Sequence, residues 1–349
     1  MMQPATPAEW FESPDTNILC GLLNYLRNAV LGISDTGKGK GLTMQEQVGK
    51  VRLDYKYYPG KDLYSDGKIE DMLLDIASRY EEEELNQVIA DSRDWSVLYH
   101  MSHIRQNIID WFPFHKQGEV LEIGSGCGAI TGALARRTKE VTCIELSKKR
   151  SLINANRNRN YDNINICVGN FADIEKSLEK KFDYITLIGV FEYAEGYIGT
   201  DEPYTEFLRL IGSHLKPGGK LIIAIENRLG LKYWAGCRED HVGTYFEGLE
   251  NYPNTSGVHT FSKPELEDIF KEAGFTGVDF YYPYPDYKLP MTIYSDEYLP
   301  KKGELNTNIW NFDRERLLLF DEEKVFDSLI DSRLFPLYSN SYLAILERV

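Results

Sequence analysis

The chain contains 349 residues, 42% of them hydrophobic and 13% aromatic, a composition that fits a large buried core and excludes disorder for most of its length. With 39 Lys and Arg against 54 Asp and Glu, its formal charge of −15 repels a phosphate backbone, so nucleic acid is not an expected partner. The five cysteines form no C-x-x-C pair, the start lacks the basic and apolar regions of a signal peptide, and no run reaches roughly 18 apolar residues; a reducing cytoplasmic location with no membrane span is expected.

Ile18, Leu19, Leu22, Leu23, Leu26 and Val30 recur at helical spacing behind the capping candidates Asp15 and Thr16, which predicts an amphipathic helix. The glycines and lysines at 37–41 lack the G-x-x-x-x-G-K-[ST] spacing and no apolar strand leads into them, so they read as a turn and not a phosphate cradle. Ile69, Met72, Leu73 and Ile76 predict a second helix, and Trp95, Leu98, Ile104, Ile108 and Ile109 a third that ends before Pro113. Residues 1–115 therefore read as an N-terminal helical cap, with the acid-rich stretch 61–96 as a solvated helix face.

From Glu119 onward short β-rich runs alternate with helical stretches, which argues for a parallel sheet covered by helices. Strands are expected at 120–123, 141–145, 164–168, 184–188 and 221–225, with Ser147 capping a helix, a Lys216-Pro217-Gly218-Gly219 turn entering the fifth strand and a capping box at Ser262 and Glu265. Runs at 278–282 and 341–346 extend the sheet, and about 283–336 reads as an insertion before the last strand. The domain expectation is thus a cap over 1–115 and a catalytic domain over 116–349.

The first strand of this series runs into Gly124-Ser125-Gly126-Cys127-Gly128 and then a helix, a turn that lets a ligand lie against main-chain N–H groups. Its G-x-G-x-G spacing, with Glu122 two residues upstream, differs from the G-x-G-x-x-G of dinucleotide folds and suits a nucleoside. Glu145 ends the second strand, where a carboxylate can accept both hydroxyls of a ribose. Asn170 and Phe171 end the third strand with an amide and an aromatic wall for adenine, and Gly189 and Val190 end the fourth beneath the crevice where open α/β sheets bind ligands.

With E-I-G-S-G-C-G, the Glu145 strand end, G-N-F-A-D, F-D-Y-I-T-L-I-G-V-F-E-Y, L-K-P-G-G-K-L-I-I-A-I-E-N and S-N-S-Y-L-A-I-L in this order, the sequence resembles the class I S-adenosylmethionine-dependent methyltransferases over roughly residues 95–349. The resemblance implies a Rossmann-like α/β fold with a seven-stranded sheet whose final strand is antiparallel, and S-adenosyl-L-methionine as cofactor. It implies that Glu122 with Gly124, Gly126 and Gly128 holds the methionine moiety, Glu145 the ribose, and Asn170 with Phe171 the adenine, with Ser125, Leu146, Ala172, Gly189 and Val190 also at the cofactor. Many members carry Asp where this chain has Asn170. The loop I-E-N-R-L-G-L-K-Y-W-A-G and the segment Y-P-Y-P-D-Y-K-L-P look like bacterial members associated with glycosyltransferases in surface polysaccharide assembly, which implies O-methylation of a sugar. A small metabolite, a lipid-linked intermediate, a tRNA base, or a non-catalytic scaffold for a glycosyltransferase are the alternatives.

A sugar hydroxyl is a poor nucleophile, so a base is sought near the fifth strand. His241, whose ordinary pKa leaves it mostly neutral at pH 7, with Asp240 or Glu239 to orient it, is the first candidate, and His259 the second. Arg105, just upstream of the glycine turn, either clamps the cofactor carboxylate or forms a surface ion pair. His100 and His103 lack the partners of a metal motif, so no metal site is expected. The aromatic run from Tyr281 to Tyr287 either faces a sugar or packs on the core, and the basic residues between Arg136 and Arg159 are either solvated or face an anion.

Overall fold

The computed structural model describes residues 44–348 apart from 63, 64, 66 and 308–313. The helix expected around 18–30, the glycine turn at 37–41 and Cys20 lie outside the described residues. The order begins with β1 (Gln45–Val48), β2 (Val51–Tyr57), α1 (Lys68–Arg79), α2 (Leu85–Ser92) and α3 (Trp95–Met101). It continues through β3 (Glu119–Ile123), α4 (Thr131–Arg137), β4 (Glu140–Glu145), α5 (Lys148–Arg157), β5 (Ile164–Gly169), β6 (Phe182–Ile188), α6 (Pro203–Ser213) and β7 (Leu215–Glu226). It closes with α7 (Lys263–Glu272), β8 (Gly277–Tyr284), β9 (Thr292–Ser295), α8 (Glu322–Asp331) and β10 (Ser341–Glu347).

All ten strands form one mixed sheet in the order β1-β2-β5-β4-β3-β6-β7-β10-β8-β9. The chain winds outward from β3 through β4 to β5, then returns to lay β6 on the other side of β3, so the strand order reverses above the carboxyl end of β3. These central strands are buried almost throughout because helices cover both faces, which explains their near-continuous apolar runs. β10 runs antiparallel to β7, from Ser341 opposite Glu226 to Glu347 opposite Lys220, and separates β7 from β8. The expected final antiparallel strand is present, but the sheet is wider than seven strands because β1, β2 and β9 extend its edges.

The N-terminal part departs from an all-helical reading. In V-R-L-D-Y-K-Y alternate residues are buried, so Val51, Leu53 and Tyr55 pack on the sheet while Arg52 and Lys56 face outward; period-two burial selects a strand that pairs parallel with β5. The expected third helix breaks after Met101, where extended Ser102 caps a new turn by accepting the Ile104 N–H at 3.2 Å. The acidic stretch is not simply solvated. Glu70 is fully buried against Arg150, with Nε to Oε1 at 2.8 Å, while Glu82 pairs with Arg157 at 3.1 Å and Glu81 with Arg159 at 2.5 Å. The basic stretch thus faces this chain's own acids: the N-terminal helices are fastened to α5 by ion pairs as well as by packing of Leu73, Val97 and Met101 on Ile153.

Ser147 caps α5 by accepting the Arg150 N–H at 3.2 Å, and Ser262 with Glu265 forms the expected capping box on α7. The Lys216 to Gly219 turn is a bulge within β7, between the pairings of Leu215 with Phe182 and of Lys220 with Tyr184. Tyr282 and Tyr284 are core residues, so most of the aromatic run packs, and only Pro285, Asp286 and Tyr287 reach the central cavity.

Candidate active site

A cavity of about 620 Å³ opens above the carboxyl ends of the central strands, where the strand order reverses. Gly124, Ser125, Gly126 and Cys127 line it, and Gly128 does not. Gly126, at φ 52°, would place a Cβ where no atom of the described residues lies within 4 Å, whereas a Cβ on Gly128, at φ 76°, would meet Asn154 Oδ1 at 2.4 Å. Gly126 therefore keeps the ligand face open, and Gly128 lets the turn close on α5. This corrects the expectation that all three glycines face the ligand.

Two carboxylates flank the turn. Glu145 accepts the Gly126 N–H at 2.8 Å through Oε2 and the Ser147 N–H at 2.9 Å through Oε1, which braces the loop and leaves further lone pairs on both oxygens. Burial raises its carboxyl above the ordinary value. Glu122 accepts Thr131 Oγ1 at 2.7 Å, and burial pushes its carboxyl up to about 7. Leu146, Gly189, Val190, Asn170 and Phe171 all line the cavity. Ala172 does not: its N–H is consumed by the Asn170 side chain, whose Oδ1 accepts it at 3.0 Å as the cap of the turn that follows β5.

Arg105 carries a signal of its own. The residue is 8% exposed, its guanidinium lies 4.0 Å from the Tyr99 ring centroid, and its Nε and Nη1 have no hydrogen-bond partner among the described residues. A buried cation with unmet donors facing a cavity fits an anionic group. Ser125 Oγ and Thr186 Oγ1 are likewise buried on the cavity wall without partners among the described residues. Trp95, Tyr99, His100 and Arg150 complete this side, and none of them had a motif to single them out as pocket residues.

The opposite end is a buried ionic network. His241 Nε2 lies 3.3 Å from Glu226 Oε2 and Nδ1 lies 2.9 Å from the Tyr193 hydroxyl. Burial alone would lower the imidazole, but the Glu226 carboxylate outweighs it and holds His241 at about 9, so the premise of a mostly neutral ring at pH 7 is corrected. Glu226, fully buried, is in turn kept well below the usual carboxylate range by Lys288, whose Nζ is 2.6 Å from Oε1. Asp240 does not orient His241 as expected: it pairs with Lys232 at 2.6 Å and Lys288 at 2.8 Å and accepts the Tyr233 hydroxyl at 2.5 Å. Glu239 holds the loop instead, accepting the backbone N–H groups of His241 and Val242 at 2.7 and 2.6 Å. Glu192, whose carboxyl burial raises, leaves Oε2 without a partner among the described residues beside this pair.

Ligand-capable atoms of Glu192, Glu226 and His241 lie within 4.8 Å of one another, yet the Lys288 ammonium already supplies positive charge to Glu226 there. His103 bonds Asn86 at 3.0 Å, and His259 sits among Tyr252 and Phe261 away from the cavity. Glu226, Lys288, Lys232 and Tyr193 were missed from the sequence. Glu226 ends β7 and Tyr193 lies in the turn that follows β6, and that position was their one available signal.

A family model described as a methyltransferase domain matches residues 97–279, just over half of the chain. Ribosomal RNA small subunit methyltransferase A of Streptococcus equi subsp. zooepidemicus is 33% identical over 81 residues, 23% of this chain and 28% of that protein's length. An uncharacterized methyltransferase of Staphylococcus carnosus is 28% identical over 153 residues, 44% of this chain and 66% of that one. Among solved structures, a SAM-dependent methyltransferase from Archaeoglobus fulgidus superposes with a TM-score of 0.45 at 18% identity, over 73% of this chain and 100% of that one. The glycine turn, the two carboxylates and the unsatisfied Arg105 and Ser125 suit the nucleoside, ammonium and carboxylate groups of S-adenosylmethionine. The chain belongs to the methyltransferase-domain family.

Proposed function

We propose that the enzyme O-methylates a sugar of a cell-surface glycan or its precursor, working beside a glycosyltransferase in the cytoplasm. The observation that carries the O-methylation reading is the buried Glu226–His241 pair at the cavity wall, a carboxylate and an imidazole joined at 3.3 Å, which suits removal of a hydroxyl proton. The sugar rests on the resemblance of the loop after β7 and of the Pro- and Tyr-rich segment after β8.

In this reading Glu145 accepts the ribose hydroxyls, Phe171 and Asn170 face the adenine, Glu122 and the open face of Gly126 meet the methionine moiety, and Arg105 takes its carboxylate. The bound cofactor supplies an electrophilic methyl group on a sulfonium whose sulfur keeps the bonding pair. The protein's share is to position the two reactants, worth effective molarities of about 10⁵ M or more, and to receive one proton. Residues 94–105 close one side of the cavity, which supports a capping role for the N-terminal region.

The test incubates the protein with methyl-labelled cofactor and panels of monosaccharides, nucleotide sugars and glycan extracts, and identifies the product by mass spectrometry. Label on a sugar oxygen supports the reading. Label on a nitrogen, on tRNA or on a small non-sugar metabolite overturns it.

A further inference from the structure

We infer that Tyr287 meets the acceptor, and that its hydroxyl donates a hydrogen bond to an oxygen next to the one that receives the methyl group. The inference rests on the O-methylation reading and deepens it: the acceptor carries a second oxygen beside the methylated one, as neighbouring positions of a sugar do.

The segment after β8 holds the ring by its backbone. The Tyr287 N–H donates to Ser341 Oγ at 2.8 Å and Asn340 Nδ2 donates to the Pro285 carbonyl at 3.0 Å, so the segment is pinned where β10 begins. Lys288, the next residue, is tied to Glu226 and Asp240 at 2.6 and 2.8 Å. Held from both sides, Tyr287 is only 3% exposed, yet it lines the cavity.

Its hydroxyl lies against the end of β6. A Cβ on Gly189 would meet the Tyr287 oxygen at 2.7 Å, and Gly189, at φ 69°, is itself a wall residue of the cavity. Glycine there serves both the left-handed turn and the approach of the phenol. The Tyr193 and Tyr233 hydroxyls around the same network are bonded to His241 Nδ1 at 2.9 Å and Asp240 Oδ2 at 2.5 Å, whereas the Tyr287 hydroxyl makes no hydrogen bond to a described residue. Burial raises its phenol well above the ordinary value and the Glu226 carboxylate adds to the rise, so the O–H keeps its proton at neutral pH. A buried O–H with nothing to donate to is costly, and on a cavity wall a ligand supplies the missing acceptor.

Position selects the ligand. Gly189 follows β6, the strand beside β3 and its glycine turn, while Glu226, Lys288 and Glu192, whose charges reach the phenol, belong to the ionic network. Tyr287 stands where these two parts of the cavity meet, and in the O-methylation reading the methyl group crosses there. A donor aimed at the reacting oxygen would tie up the lone pair that the new bond needs, so the phenol serves its neighbour. No bond is made or broken at Tyr287: the reacting hydroxyl gives its proton to His241, and its oxygen keeps the electron pair for the new bond to carbon. The phenol holds the neighbouring oxygen and so sets the angle at which the reacting one faces the methyl group.

The test begins without an acceptor. Tyr287→Phe is expected to melt no lower than wild type, because the lost O–H had no partner, and to bind S-adenosylhomocysteine within about threefold of wild type in calorimetry. A variant that melts well below wild type gives the hydroxyl a structural bond, and a larger loss of affinity gives it to the cofactor; either overturns the inference. With the acceptor returned by the labelled-cofactor screen, Tyr287→Phe is expected to lower kcat/KM about 10- to 100-fold. Monodeoxy analogues of that acceptor locate the bond: at one position beside the methylated oxygen, removing the oxygen is expected to cost the wild type about 10- to 100-fold and the variant less than about threefold. Unchanged kcat/KM in Tyr287→Phe, or full deoxy losses that persist in the variant at every neighbouring position, overturn the inference, while label on a sugar oxygen still supports the O-methylation reading. Label on a nitrogen overturns both.

Discussion

Replacing Arg105 by Met separates a binding role from a structural one. The guanidinium is buried, leaves Nε and Nη1 unsatisfied and gains from the protein chiefly its contact with the Tyr99 ring at 4.0 Å. A contact of that kind is worth about 0.5–2 kcal/mol, while an unpaired buried charge costs at least as much, so the cofactor-free variant is expected to melt no lower than wild type. Charge-assisted hydrogen bonds to a carboxylate contribute about 1.5–3 kcal/mol, so cofactor affinity is expected to fall roughly 10- to 150-fold. Calorimetry with S-adenosylmethionine, S-adenosylhomocysteine and 5′-methylthioadenosine reads the difference, because the last ligand has no carboxylate. Equal losses for all three, or no loss for the first two, refute the clamp. A variant that melts well below wild type without ligand refutes the claim that the guanidinium waits for an anion.

Three further outcomes follow from the same geometry. Glu145→Gln loses the charge beneath the ribose and one of its two backbone contacts, so calorimetry is expected to show affinity for the cofactor and for 5′-methylthioadenosine falling together by about 10- to 100-fold. Gly128→Ala, with a left-handed φ and Asn154 Oδ1 at 2.4 Å from the new Cβ, is expected to cost about 2–4 kcal/mol in denaturant unfolding, while Gly126→Ala costs about 1–2 kcal/mol and weakens cofactor binding instead. Turnover is expected to rise with pH until about 9, because His241 must be neutral to receive a proton and Glu226 holds it charged below that; Glu226→Gln removes the raising charge and should move the inflection down, which pH–rate profiles check.

The α/β core was legible because each central strand repeats a local pattern that needs no partner to be recognised. E-V-L-E-I, E-V-T-C-I-E and I-N-I-C-V-G are short apolar runs ending in Gly or acid, and the structure pairs them in the order that a doubly wound sheet dictates. β2 carries an equally plain alternation in V-R-L-D-Y-K-Y, but its neighbours in sequence are helical, and its partner β5 lies more than a hundred residues away. The strand is stabilised by a non-local pairing that no window around it contains.

The two ends of the cavity differ in the same way. Glu122, Gly124, Gly126 and Glu145 sit within 24 residues and all line the cavity, so the spacing that groups them is visible in the sequence. At the other end Glu226 comes from β7, His241 from the loop beyond it, Tyr193 from the turn after β6 and Lys288 from the segment after β8. Histidine next to Asp240 in sequence suggested Asp240 as its partner, yet two lysines claim that carboxylate and leave the ring to Glu226. Adjacent side chains in an irregular loop point in different directions, so sequence neighbourhood is weak evidence of contact there. What decides the pairing is which carboxylate keeps its charge when buried, and that depends on Lys232 and Lys288, 56 residues apart in the chain and both against Asp240 in the fold. The charge on His241 is therefore a property of the network, and any substitution of Lys288 or Lys232 should act on His241 through the charge left on Glu226 and Asp240.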